Sequence, residues 1–142
     1  MYSQMNKIQV FYTLALLVIT ISNCNAASWS TCPGYSDAKL KITNVSFNPK
    51  VITWNIRNIV TMDGTALQSD TQKNVEIQIK REGLDIENIS AGEPYSIDPK
   101  TGYKYTFDFT LSTDYPPGMY EVLFLIKSAK DTITCFQSSF SV

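Results

Sequence analysis

YKYTFDFTL, residues 103–111, decides the fold class. Tyr103, Tyr105, Phe107, Phe109 and Leu111 share one parity, while Lys104, Thr106, Asp108 and Thr110 share the other. A strand sends successive side chains to opposite faces, so this stretch reads as a β-strand with one wholly apolar, mostly aromatic face. The same period recurs outward in both directions. Leu40 and Ile42 alternate with lysines, Ile52, Trp54 and Ile56 with polar residues, and Val75, Ile77 and Ile79 with Glu76, Gln78 and Lys80. Turn-forming residues separate these runs: NPK at 48–50, DG at 63–64, EG at 82–83, DPKTG at 98–102 and PPG at 116–118.

YEVLFLIK (Tyr120–Lys127) is apolar at Tyr120, Val122, Phe124 and Ile126 and also at Leu123 and Leu125 on the other face, the pattern of a central strand. Near the C-terminus, Ile133 and Cys135 alternate against Thr134, Phe136 and Phe140, which reads as a final strand. The segment LDIENISAGEP has room for a turn of helix at most, ended by Gly92 and Pro94. Some seven short strands with a β-branched and aromatic bias predict an all-β domain, an immunoglobulin-like two-sheet β-sandwich.

The first residues have a different character. Lys7 precedes the apolar run Val10–Ile21, and the small-residue stretch SNCNAAS follows it. This is the order of a secretory signal peptide, over residues 1–26 with cleavage after Ala26 or Ala27. A membrane anchor is the weaker reading, because about 20 apolar residues are needed to span a bilayer. Cleavage removes Cys24 and leaves Cys32 and Cys135, which can pair and close a loop of about 100 residues. Loss of Lys7 moves the formal charge from -1 to about -2, so no basic surplus suggests nucleic acid.

The chain has no histidine, which excludes His-based triads, His general bases and His metal ligands. No calcium loop, glycine-rich phosphate loop or G-x-S-x-G is present, so the reading is not an enzyme, with no metal and no cofactor beyond a bound ligand. Asn44-Val45-Ser46 and Asn88-Ile89-Ser90 are N-glycosylation sequons. About two such triplets are expected by chance, so they mark possible sites only.

Four motifs occur in a telling order: Trp29-Ser-Thr-Cys32, ITNVSFNP (Ile42–Pro49), YPPGMYEV (Tyr115–Val122) and CFQSSFSV (Cys135–Val142). In this order and spacing the chain resembles the ML (lipid-recognition) domain family, which includes phosphatidylglycerol/phosphatidylinositol transfer proteins and Niemann-Pick-type sterol carriers. The resemblance covers residues 27–142. It implies a sandwich with an apolar cavity for one lipid between the sheets, and a first-to-last bridge at Cys32 and Cys135. The residues matching the family's cavity wall are Phe107, Phe109, Leu111, Tyr115, Tyr120, Val122 and Phe124, with Ile77, Ile79 and Ile86 on the facing segment. Function by resemblance is lipid binding and intermembrane transfer of a phospholipid or sterol. It also implies a monomer in the secreted or endolysosomal lumen that touches membrane surfaces transiently.

One departure stands out. Family members usually carry a second disulfide ending in a Cys-Pro pair, where this chain has Glu93-Pro94, so a looser loop is expected there. From composition alone, an apolar strand face belongs to a packed core as readily as to a ligand wall. The alternative is therefore a cavity-free immunoglobulin-like adhesion or signalling module.

Overall fold

A computed structural model describes residues 27–36, 38–111 and 114–142. The expected signal peptide over 1–26, and Cys24 within it, lie outside the described residues.

Ten strands follow one another: β1 (Trp29–Thr31), β2 (Leu40–Asn48), β3 (Arg57–Ala66), β4 (Asp70–Gln72), β5 (Asn74–Arg81), β6 (Leu84–Ala91), β7 (Tyr95–Ile97), β8 (Tyr103–Thr110), β9 (Met119–Lys127) and β10 (Thr132–Ser141). They form a five-stranded sheet in the order β1-β10-β9-β5-β6, a three-stranded sheet β2-β3-β8 and a two-stranded ribbon β4-β7. Every pairing is antiparallel. The two larger sheets face each other across the hydrophobic core, as the alternation predicts, and β9 is the central strand of its sheet.

Several local readings are corrected. Ile52, Trp54 and Ile56 alternate but sit in a loop, where the buried Asn58 side chain replaces a strand partner. Asn58 Oδ1 accepts from the Thr53 N–H at 2.8 Å, and its amide donates to the carbonyls of Thr53 at 2.6 Å and Ile56 at 3.1 Å. Asp63-Gly64 is no turn; it lies within β3, beside a register shift between Ile42 and Asn44. A Cβ on Gly64 would stand 2.7 Å from the Lys41 carbonyl oxygen, so glycine is needed for close strand approach. LDIENISA forms strand β6, an edge strand with no fully buried position. Glu82-Gly83 is the expected hairpin turn, joining Arg81 to Leu84 with φ of 52° and 79° at its two centres.

Phe124 sits at the centre of the core. It stacks on Phe136 of the neighbouring strand at 4.6 Å and meets Phe107, Phe109 and Phe47 of the opposite sheet at 6.0, 5.8 and 6.1 Å. A fully buried side chain of this size stabilises the fold by about 1.5–3 kcal/mol.

Cys32 and Cys135 are bonded across a sequence separation of 103, with Cα atoms 5.4 Å apart. In chain-entropy accounts a loop of this length gives up to about 4.7 kcal/mol. The bond acts beside the β1–β10 pairing, which already holds the start of the domain to its last strand. Further ties close the opposite pole. The Ala27 N–H donates to the Lys50 carbonyl at 2.7 Å, and Val142 and Gly118 exchange backbone hydrogen bonds at 3.0 and 3.1 Å.

Candidate functional site

The interior between the two larger sheets is the candidate site. On its smaller side β8 lays four rings in a row: Tyr103, Tyr105, Phe107 and Phe109, with successive centroids 6.2, 6.2 and 6.5 Å apart and planes inclined by 26–29°. The register of the neighbouring strand adds Val60 and Met62, both fully buried. On the larger side stand Val75, Ile77 and Ile79 of β5 and Val122, Phe124 and Ile126 of β9, none exposed. The wall is graded in polarity, with tyrosines near the β4-β7 ribbon and phenylalanines and Leu111 beyond them.

Both poles of this interior carry hydroxyls. At one, Tyr115, Tyr120 and Phe140 cluster with centroids 5.0–6.1 Å apart. The Tyr115 hydroxyl donates to the Glu87 carboxylate, and that of Tyr120 to the Pro116 carbonyl at 2.7 Å. Arg81 lies over the Tyr120 ring, 5.6 Å from its centroid.

At the other pole, Tyr95 packs on Tyr103 and Tyr105 at 5.6 and 5.5 Å. The Tyr103 hydroxyl donates to Gln72 Oε1 at 2.6 Å. Burial pushes the Tyr103 phenol far above its ordinary value, so it stays a donor. Gln72 is fully buried, and its Nε2 has no hydrogen-bond partner. An unsatisfied buried amide of this kind costs about 1–3 kcal/mol. A surface cleft of about 270 Å³ reaches this pole, lined in part by Tyr95, Gly102, Tyr103 and Lys104. A larger cleft of about 480 Å³ lies at the other pole, along Trp29, Lys80, Glu121 and Ser139.

The loop that lacks the family's second bridge is held in another way. The Tyr105 hydroxyl accepts from the Glu93 N–H and donates to the Glu93 carbonyl, both at 2.6 Å. Burial is the main reason the Tyr105 phenol is raised. Gly92, next to Glu93, has φ of 79°, and a Cβ there would collide with the Tyr105 hydroxyl. In place of a bridge, these two hydrogen bonds tie the loop to β8.

Of the residues named from sequence, Ile77, Ile79, Phe107, Phe109, Leu111, Tyr115, Tyr120, Val122 and Phe124 are buried and belong to the one core cluster. Ile86 does not join them: it is 47 % exposed on the edge strand. The register shift between Ile79 and Lys80 leaves Ile86 unpaired, since Ile79 pairs with Glu87 and Lys80 with Asp85. A bulge reverses which parity faces inward. Glu87, Ile89 and Ala91 thus lie opposite the buried residues of β5. Sequence reasoning missed Gln72 because a three-residue strand has no periodicity to read, whereas Val60 and Met62 do alternate visibly in β3. Asn44 and Asn88 are both exposed. No group of acidic and cysteine side chains suited to a metal ion occurs among the described residues.

A search of curated proteins finds no match. Among solved structures, a Niemann-Pick type C2 protein from Japanese carpenter ant is similar at a TM-score of 0.53 and 16 % identity, over 80 % of this chain and 98 % of that one. At this identity the likeness supports the fold. The CARDB domain of a Pyrococcus furiosus protein, solved with di-metal ions, reaches a TM-score of only 0.41 at 18 % identity, over 79 % of this chain and 97 % of that one, and carries no argument. The family model of the ML domain matches residues 26–142, a span that contains every described residue. With that match over a two-sheet sandwich closed by Cys32 and Cys135, the chain belongs to the ML-domain family.

Proposed function

We propose that this protein binds one lipid, a phospholipid or a sterol, between its two larger sheets and carries it between membranes without catalysing a reaction. The observation that carries the reading is the join between those sheets. Among the described residues no strand ladder links β2-β3-β8 to the five-stranded sheet, so between the connecting segments and the Ala27–Lys50 tie it is side chains that hold the two together. Parting them would break no strand pairing, and the surface uncovered would be apolar and aromatic. Membership of the ML-domain family and the Niemann-Pick type C2 likeness support the same reading.

The lipid would be walled by Ile77, Ile79, Phe107, Phe109, Leu111, Val122 and Phe124, with Tyr115 and Tyr120 at one end. Its passage from a bilayer is an exchange of one apolar surrounding for another. In transit, the hydrophobic effect of about 25 cal/mol per Å² of apolar area keeps the ligand inside. The compartment fits a bridged chain led by a signal peptide: secreted or endolysosomal, with Asn44 and Asn88 exposed enough to be glycosylated.

The second reading, a cavity-free module, draws on Phe124, which meets rings from both sheets and fills the middle of the interior. Lipid extraction and mass spectrometry of the secreted protein, with a vesicle-to-vesicle transfer assay, separates the two. Bound lipid and transfer are expected; absence of both would leave the closed module.

A further inference from the structure

We propose that the Gln72 side-chain amide is the hydrogen-bond donor for an oxygen of the bound lipid, placing the ligand's polar end at the β4-β7 pole. The inference rests on the lipid-binding reading above and adds where the ligand's oxygen goes. Gln72 is fully buried, and Nε2 has no partner while Oε1 is occupied by the Tyr103 hydroxyl. The neighbouring Tyr105 hydroxyl lies close enough to interact with the Gln72 side chain, but its two well-formed hydrogen bonds go to Glu93 and Nε2 makes none with it. Buried polar groups in folded proteins are nearly always paired, so an orphan beside an apolar interior indicates a missing partner.

The setting suits an amphiphile. A surface cleft of about 270 Å³, lined also by Thr43, Asp63 and Lys104, stops at Tyr95 and Tyr103, and these two cover Gln72, Tyr95 as its register partner and Tyr103 as its bonded neighbour. Inward from there the β8 wall changes from tyrosine to phenylalanine. An oxygen at Gln72 therefore leaves a hydrocarbon tail among Phe107, Phe109 and Phe124. The ligand class is a long-chain or polycyclic lipid with a hydrogen-bond-accepting oxygen: a carboxyl, an ester carbonyl or a hydroxyl.

The test titrates oleic acid, methyl oleate, cholesterol and 1-octadecene into the purified protein and its Gln72→Leu and Gln72→Met variants, with melting temperature recorded for each. Wild type should prefer at least one oxygenated ligand to 1-octadecene, and which one identifies the oxygen. A folded Gln72→Leu should lose about tenfold in affinity for that ligand and keep its affinity for 1-octadecene. Gln72→Met serves if the leucine variant does not fold. In addition, the Gln72 side-chain amide resonance of the wild type should shift when the preferred ligand binds. Unchanged affinities in a folded variant, or an unmoved resonance in a loaded protein, overturn the proposal and leave the lipid-binding reading standing. Failure of the wild type to bind any of the four overturns the proposal, while the lipid-binding reading falls only if extraction and vesicle transfer also show no lipid.

Discussion

The Tyr105 hydroxyl joins two residues twelve positions apart, Glu93 and Tyr105, through one donated and one accepted hydrogen bond. Tyr105→Phe keeps the ring in its stack and removes both bonds. We expect a loss of about 1–2 kcal/mol, read as a lower urea midpoint at unchanged slope. An unchanged midpoint would mean that water replaces both bonds freely. At this scale the sequence is legible only in part. That Tyr105 faces inward follows from its parity with Phe107 and Phe109, but its hydroxyl's partner does not, because Glu93 lies across a loop. Gln72 was still less accessible: its burial is set by the rings of Tyr95 and Tyr103, which only the folded chain brings to it.

Strands show the opposite balance. β8 and β9 could be read with nearly their observed bounds, because eight- and nine-residue strands repeat their alternation often enough to be unmistakable. β6 could not, since a single bulge beside Ile79 reverses its parity and sends Ile86 outward. The central strand also offers the sharpest test of whether the sheets can part. Val122 is fully buried, paired with Ile79 on one side and Ser138 on the other. In a protein that takes a lipid between its sheets, Val122→Trp should fold, melt close to wild type and no longer take up lipid. Overpacking a closed core costs about 1–3 kcal/mol, so a marked fall in melting temperature would count for the rigid module instead.

For the whole molecule, charge leaves little for mildly acidic conditions to act on. There is no histidine, the one side chain whose ordinary pKa lies between pH 5 and 8. Asp131 is held below its ordinary 3.8, first by the Ser128 hydroxyl and then by Lys39, and Asp108 is held below it by Arg57. Lowered carboxylates stabilise the fold above their unfolded value and lose that contribution as pH falls through the folded one. Lys39, raised by Asp131 and Asp70, contributes below its ordinary 10.5 and ceases to only as pH climbs through its raised value. Melting temperature should therefore vary little between pH 5 and 8 and fall below about pH 4. A step between pH 5 and 7 in a thermal scan would contradict this.

The ties at Ala27 and Val142 have a practical consequence. Ala27 bonds to Lys50 and Val142 to Gly118, so both ends of the described chain leave from the pole opposite Gln72. Along the eight residues of β8, that pole stands about 25 Å from Tyr103. A fluorophore, a resin linkage or a fused reporter at Val142 would hang from the base of the molecule. The Tyr95–Tyr103 cleft would stay open, so if the protein carries lipid as proposed, its immobilised form should still exchange lipid with vesicles flowing past.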